Sequence, residues 1–201
     1  EPGWAPGRAA DGRLKRDGQG RPLFELVANR WVGTGRTVYN NKGMAVKQYE
    51  PFFDSSPDYT VERELVEWRF SPVLAYDPLN RLVRVDQPDG RFSVQRFDAW
   101  VQESWDENDT VLDSSWFAER LVLPAGSPER RAAQEAARHA RTPSVAHLDT
   151  LGRVFLTEAH NGFDGAGLPV LFRSRVDLDI EGNRRRLTNA LNHTLLEFTY
   201  D

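Results

Sequence analysis

Tyr76-Asp77-Pro78-Leu79-Asn80-Arg81-Leu82 decides the fold class of this chain, because its pattern returns as Leu148-Asp149-Thr150-Leu151-Gly152-Arg153-Val154. In both stretches an aromatic or apolar residue precedes Asp, and Gly or Asn follows three places later. The Asp side chain accepts hydrogen bonds from backbone N–H groups two residues on, and Gly or Asn takes the positive φ of a type I turn with a bulge. The unit therefore predicts a β-hairpin turn, after which Arg and an apolar residue begin the next strand.

Looser copies of this unit are spread along the chain. Asp179-Ile180-Glu181-Gly182-Asn183 and Asn40-Asn41-Lys42-Gly43-Met44 keep the turn, and Asp17-Gly18-Gln19-Gly20-Arg21 keeps it without the aromatic residue. Phe97-Asp98 and the terminal Tyr200-Asp201 resemble the starts of further copies. The spacing of the Asp positions predicts a repeat of about twenty residues. The repeat assigns turn roles to Tyr76, Asp77, Asn80, Arg81, Asp149, Gly152, Arg153, Asp179, Gly182, Tyr200 and Asp201.

Short runs rich in β-branched and aromatic residues lie between the turns and favour strands. These runs are 37–39, 82–85, 92–97, 154–157, 170–178 and 194–200. In the run 92–97 neither face is cleanly apolar, since Phe92 and Val94 share a face with Arg96. The pattern predicts a mainly β fold, an antiparallel array of hairpins whose strands have no clean core face.

One segment has helical signals instead. Ser127 offers an N-cap hydroxyl, Pro128 suits the first helical position, and Glu129 suits the first turn. Thr142-Pro143 ends the helix, because the residue before a proline is pushed out of the α region. We therefore predict a helical insertion over 128–141. The resulting divisions are a turn-rich lead-in (1–36), β-hairpin repeats (37–126), the helical insertion (127–142), and repeat hairpins that stop at the start of a further copy (143–201).

Composition narrows the class of function. The 201 residues contain no Cys, which excludes disulfides, thiolate metal sites and thiol catalysis. The apolar run 168–172 is far shorter than the roughly twenty residues that a membrane helix needs. Residues 51–125 carry 15 acidic side chains against 7 basic ones, so a basic field suited to nucleic acid is absent. Because the chain begins at Glu1 without Met, we expect a processed product or a segment of a longer array.

A family resemblance rests on the repeat and on longer strings. The Tyr-Asp-x-x-Gly-Arg pattern at 76–81 and 148–153 resembles the tyrosine-aspartate (YD) repeat of the RHS family, with Asn80 replacing Gly and Leu148 replacing Tyr. The strings 31–43, 47–53, 105–114 and 147–153 together resemble the B component of bacterial insecticidal toxin complexes, in the part that leads into its RHS array. The resemblance covers most of the chain.

This resemblance implies a structural role, in the wall of a protein shell, rather than a catalytic one. In that family the B and C components build a hollow β-strand shell around a cytotoxic C-terminal segment, and the B component docks onto a membrane-inserting A component. The resemblance implies a secreted, non-enzymatic structural segment without a cofactor. Its implied partners are the rest of the parent shell, the C component and, indirectly, the A component. Neither nucleic-acid binding nor direct membrane insertion is implied.

Trp105-Asp106-Glu107-Asn108-Asp109 is the densest polar cluster. A Trp beside two carboxylates fits a sugar site with a general acid and a base. Asp106, Asn108 and Asp113 also offer oxygen ligands for calcium, although the Gly and terminal Glu of an EF-hand loop are missing. We favour a turn with a packed Trp, because adjacent carboxylates point apart on a strand.

Other polar residues give weaker signals. The four histidines, His139, His147, His160 and His193, lack the spacing of a metal site. The run Arg184-Arg185-Arg186 is expected to form cross-strand ion pairs with Asp177, Asp179 and Glu181 rather than to bind nucleic acid.

Two alternative functions remain open. One is a stand-alone carbohydrate-binding or adhesion module that uses Trp100, Trp105 and Trp116. The other is a glycoside hydrolase fragment that relies on Asp106 and Glu107.

Overall fold

The computed structural model describes residues 1–58 and 71–200. Strands make up 42% of the structure and helices 12%, and the sheets are antiparallel, so the predicted fold class is confirmed. The chain divides into two compact units. The first contains Glu1–Ala75 and Gln87–Asp89, and the second contains Tyr76–Asp86 and Gly90–Asp201.

The first unit is built from short strands. They are β1 (Gly3–Pro6), β2 (Phe24–Val27), β3 (Trp31–Gly33), β4 (Thr37–Tyr39), β5 (Ala45–Gln48), β6 (Phe52–Asp54) and β7 (Val73–Tyr76), whose last residue belongs to the second unit. Strand β1 pairs with β2, β3 with β6, and β5 with β4 and β7. Leu14 and Tyr49 are buried together, with Val38 and Phe52 packed against them.

A buried ion pair also stabilises the first unit. Arg8 donates from Nε at 2.9 Å and from Nη2 at 2.7 Å to the two oxygens of Asp54. Asp54 is only 3% exposed, and bidentate pairing satisfies both of its oxygens. Removal of either partner would break this bidentate pair, and breaking a buried ion pair costs about 3–5 kcal/mol.

The second unit is a meander in which each strand pairs with the next. Its strands are β8 (Leu82–Asp86), β9 (Phe92–Phe97), β10 (Val101–Trp105), β11 (Ser144–Leu148), β12 (Val154–Phe163), β13 (Pro169–Leu178), β14 (Arg184–Thr188) and β15 (Thr194–Glu197). All of these pairs are antiparallel. Successive connections therefore fall on alternate edges of the sheet.

The connection between β10 and β11 contains the helices. Helix α1 (Ser115–Leu121) follows a 3₁₀ turn at Val111–Asp113, and α2 (Pro128–Ala136) continues as a 3₁₀ turn at Ala137–His139. The helix predicted over 128–141 is present, and the hydroxyl of Ser127 accepts from the N–H of Arg130, as expected of an N-cap. It ends at His139, because Ala140 is extended and Arg141 has a φ of 62°.

Helix α1 was not predicted. Its N-cap is Ser114, which accepts from the N–H of Phe117 at 3.1 Å. With only seven residues, the helix is too short to show the apolar period that identifies helices from sequence. Packing against α2 stabilises it instead. The preceding turn is also attached to the sheet, because the hydroxyl of Thr110 donates to the carbonyl of Phe92.

Large side chains are seldom fully buried in the described residues. The buried apolar residues are Ala5, Pro6, Leu14, Tyr49, Val111, Ala133 and Ala140. In β9 five of six residues are half-buried, whichever face they occupy, which matches the mixed faces of that run. Within residues 1–58 and 71–200, no helix has the length and apolar character needed to cross a membrane.

Candidate functional site

The repeated turn has one geometry, seen clearly at Asp149. Its Oδ1 accepts from the backbone N–H of Leu151 and of Arg153, both at 2.9 Å. Its Oδ2 accepts from Nε of Arg153 at 2.7 Å. Gly152 donates its N–H to the carbonyl of Asp149 and has a φ of 74°. One carboxylate therefore binds both sides of the turn and orients Arg153, which directly precedes β12.

The turn at Asp77 repeats these contacts. Asp77 Oδ1 accepts from the N–H groups of Leu79 and Arg81 at 2.8 and 2.9 Å, and Oδ2 accepts from Arg81 Nε at 2.7 Å. Asn80 stands where Gly152 does and has a φ of 63°. Tyr76 ends β7 directly before this turn.

The third predicted turn, at Asp179, differs in the position of the arginine that pairs with its Asp. Asp179 Oδ1 accepts from the N–H groups of Glu181 and Asn183, and Gly182 has a φ of 95°. Position 183 holds Asn rather than Arg, and Arg185 supplies the charge, with Nε 3.1 Å from Asp179 Oδ2. The backbone turn is thus independent of Arg, since the N–H contacts persist without it.

Two further copies were missed by sequence reasoning. Asp164 accepts from the N–H groups of Ala166 and Leu168, and Asn189 accepts from those of Leu191 and His193. Both lack Arg at the fifth position of the turn, as do the copies recognised at Asn40 and Asp179. The four turns beginning at Asp149, Asp164, Asp179 and Asn189 lie 15, 15 and 10 residues apart, closer than the predicted twenty. The spacing follows strand length, which varies along the meander.

The turn carboxylates have lowered pKa values. For Asp149, the N–H of Arg153 contributes most, and the Arg153 guanidinium adds to it against the opposing effect of burial. For Asp77, burial is the largest effect and raises the pKa, but hydrogen bonds from Arg81 and Leu79 together outweigh it. The pKa of Asp17 and Asp179 is lowered in the same way. These carboxylates therefore remain ionised at a lower pH than an ordinary Asp does, because their pKa is lowered.

The turns on one edge of the second unit contact each other. The guanidinium of Arg81 lies 4.3 Å from the ring centre of Phe97, and the N–H of Leu148 donates to the carbonyl of Trp100 at 2.8 Å. Arg153 Nη1 donates to the carbonyl of Asp179 at 3.1 Å. This turn edge, formed by 77–81, 98–100, 149–153 and 179–183, is therefore a continuous feature.

The last predicted turn residues lie at the end of the described chain. Tyr200 follows β15, with its ring stacked on Phe198 and 5.1 Å from the Arg185 guanidinium. Asp201 lies outside the described residues. Arg186 pairs with Glu197 at 3.0 Å, and Arg175 pairs with Asp177 at 2.8 Å. Of the three acids expected to serve the arginine run, Asp179 pairs with Arg185.

The polar cluster at 105–109 forms the base of the helical insertion. Asp106 Oδ1 accepts from the N–H groups of Asn108 and Asp109. Asp109, 6% exposed, accepts from Asp106 N at 2.8 Å and from both N and Oγ1 of Thr142. The carbonyl of Asp109 accepts from Arg141 N. Asp109 thus clamps together the two ends of a segment of more than thirty residues, and Asp106 fixes the turn that positions Asp109.

A cleft of about 540 Å³ lies beside this clamp. Three of its lining residues, Gln95, Ser104 and Ser144, lie opposite one another on β9, β10 and β11. His139, His160 and Glu107 also line it. In the described part of the chain, no three His, Asp or Glu side chains are grouped as metal ligands. Asp106, a proposed calcium ligand, instead directs Oδ1 to backbone N–H groups.

The three Trp side chains of the sugar-binding hypothesis differ in their contacts and exposure. Arg96 lies 4.6 Å from the ring of Trp105, whose Nε1 donates to Glu103 at 2.9 Å. Arg120 lies 4.2 Å from the ring of Trp116. Trp100 is 54% exposed. Cation–π contacts of this kind hold the first two rings against the protein.

Solved structures of toxin complexes match this chain in fold. The TcdB2-TccC3 complex without its hypervariable C-terminal region matches with a TM-score of 0.71 and 25% identity. The match covers 94% of this chain and 8% of the solved chain. The resemblance to toxin-complex proteins is confirmed. The Tc holotoxin pore of Photorhabdus luminescens matches the same shares of the two chains, with a TM-score of 0.73 and 24% identity.

The toxin-complex likeness concerns a small part of those proteins. This chain spans about 8% of the length of the solved chains that it matches. No protein-family model matches the sequence, and no curated protein matches it.

Proposed function

We propose that this chain is a structural segment of a toxin-complex B component and forms part of a β-strand shell that encloses a cytotoxic C-terminal cargo. The observation that carries the proposal is the fold match over 94% of the chain to toxin-complex structures. The proposal assigns no catalytic activity to the segment. It places the protein outside the producing cell, as part of a secreted toxin.

The architecture of the second unit supports the proposed role in the wall of a shell. Strands β12 and β13 are ten residues each, and every position in them is half-buried or exposed. Cross-strand charges tie them together: Arg173 Nε lies 2.6 Å from Glu158 Oε1, and His147 lies 3.4 Å from the other oxygen. The Arg173 guanidinium holds the pKa of Glu158 below its ordinary value, with His147 adding to the effect. Ion pairs between neighbouring strands form in contact with water, so a sheet that they stabilise can have water on either face.

The proposed partners are the rest of the same shell and the C component, with the A component bound indirectly. Nucleic acid and direct membrane insertion are not part of the proposal. The net charge of −4 disfavours binding to a polyanion.

Cargo protection tests the proposal. The full-length protein is expressed with its C component, and protease resistance of the cargo is measured together with electron microscopy of the particle. We expect a hollow particle, a protected cargo, and residues 1–201 in the particle wall. A variant that lacks the β12–β13 hairpin should expose the cargo to protease.

The matched control is Gly165→Ala in the turn of that hairpin. Gly165 has open space around it and no positive φ, so the control keeps the hairpin intact. A cargo digested at the same rate with and without the intact hairpin would contradict a wall function for this segment.

A further inference from the structure

The turn edge of the second unit presents a row of exposed apolar side chains. Leu79 is 72% exposed, Trp100 54%, Leu151 67% and Ile180 90%. Each comes from a different one of the four turns on this edge. Apolar side chains gain nothing from this position in an isolated chain, since their burial stabilises by about 25 cal/mol per Å² of surface removed from water.

In three of these four turns the leading carboxylate is paired with an arginine. Asp77 binds Arg81, Asp149 binds Arg153 at 2.7 Å, and Asp179 binds Arg185. Arg153 is directed further toward the next turn, where it meets the carbonyls of Asp179 and Ile180. A partner of this edge would therefore meet exposed apolar groups beside carboxylates that arginine neutralises in three of the four turns.

The spacing of the row restricts the partner. Neighbouring strands lie about 4.8 Å apart, so turns on the same edge of a meander recur at about 10 Å. A surface that buries all four side chains needs apolar groups with the same repeat. The edge of another antiparallel meander has that repeat, whereas a lipid surface has none.

The solved chains that match this one are more than ten times longer, so further sheet edges are available within one such chain. We propose that the row Leu79, Trp100, Leu151 and Ile180 is a docking surface for the turns of a second antiparallel meander in the same polypeptide. This inference rests on the proposed shell function and names the partner of one sheet edge.

Photo-crosslinking in the full-length protein tests the inference. Benzoylphenylalanine replaces Leu151 in one sample and Gln19 in another. Gln19 is the matched control because it occupies the same position of an Asp-x-x-Gly turn, is exposed, and is polar. We expect crosslinks from position 151 to hairpin turns elsewhere in the same chain, located by mass spectrometry, at a yield well above that from position 19.

Three results would overturn the inference. They are equal yields at the two positions, crosslinks only between separate molecules, and crosslinks to lipid when phosphatidylcholine vesicles are present. Electron microscopy of the same sample separates the two proposals. A hollow particle without the crosslink refutes the docking surface alone, whereas the absence of a hollow particle refutes the proposed function.

A substitution gives a second measurement. Leu151→Lys should lower the unfolding midpoint of the full-length protein by several degrees, because a charge would be buried against the opposing turns. Gln19→Lys should leave the midpoint unchanged. An unchanged midpoint for Leu151→Lys would show that position 151 remains in water, and would refute the inference.

Discussion

Substitution of Gly152 measures how strongly the repeated turn depends on positive φ. Gly152 has a φ of 74°, and a Cβ built there would meet no atom within 4 Å. Steric crowding by neighbours is thus absent, and the cost of a side chain is the cost of the left-handed backbone alone. That cost is about 1–2 kcal/mol for an L-residue, and β-branched residues resist this region most.

Three variants form a series at this position. Gly152→Asn should be nearly neutral, because Asn80 and Asn192 occupy the equivalent site of their turns with φ of 63° and 60°. Gly152→Ala should cost about 1 kcal/mol and Gly152→Val about 2 kcal/mol. For a chain of this size the Val variant should lower the melting temperature by roughly 4–8 °C.

Thermal unfolding followed by circular dichroism, repeated in urea, measures the series. Gly165→Ala is the control, since Gly165 also has open space but lies outside the left-handed region, and it should be neutral or slightly stabilising. Equal stability of the Gly152→Val variant and the unmodified protein would refute the turn geometry as the reason for glycine at this position.

Three other predictions concern packing, the clamp and acid stability. Gly90→Ala should cost more than Gly126→Ala in urea unfolding, because both have positive φ but only at Gly90 would the Cβ clash with Ser115 Oγ; equal costs would exclude that clash. Asp109→Ala should speed hydrogen exchange in the helical insertion and cost about 1–3 kcal/mol per donor left unsatisfied, whereas unaltered exchange would show that the clamp is dispensable. Because the pKa of Asp149 is lowered on folding, its stabilising effect is present above the ordinary value of 3.8 and disappears as the pH falls through the lowered pKa. Asp149→Asn should therefore reduce the loss of stability in that acid range, as measured by urea midpoints from pH 5 to pH 2, and an unaltered pH profile would contradict the contact.

Several arginine side chains stack on aromatic rings. Arg84 lies 3.8 Å from the ring of Phe92, and Arg30 lies 3.7 Å from that of Phe53. A planar guanidinium can stack on a ring and bind a carboxylate at once, which a lysine ammonium does less well. In strands with few buried large side chains, such contacts replace part of the missing core.

The hairpin turns were the part of this protein that the sequence determined. In the turn at Asp149 the donors, the acceptor and the left-handed Gly152 all lie within five residues, so the local chain contains the whole hydrogen-bond pattern. The same reason explains the predicted β class and the helix that begins after Ser127. The turns at Asp164 and Asn189 have the same backbone bonds and were missed, although Phe163 precedes Asp164 and Gly167 follows it three places later.

Contacts between distant residues were decided by the tertiary structure alone. Asp109 meets Thr142 across 33 residues, Arg153 meets the carbonyl of Asp179 across 26, and Arg8 meets Asp54 across 46. Because Asp109 contacts Thr142, the cluster that resembled a sugar or calcium site in sequence is a clamp on the helical insertion. The contact between Arg153 and Asp179 joins separate turns into one edge. Such pairs depend on strand register and on which edge each turn occupies, and these follow from the pairing of whole strands rather than from any local pattern.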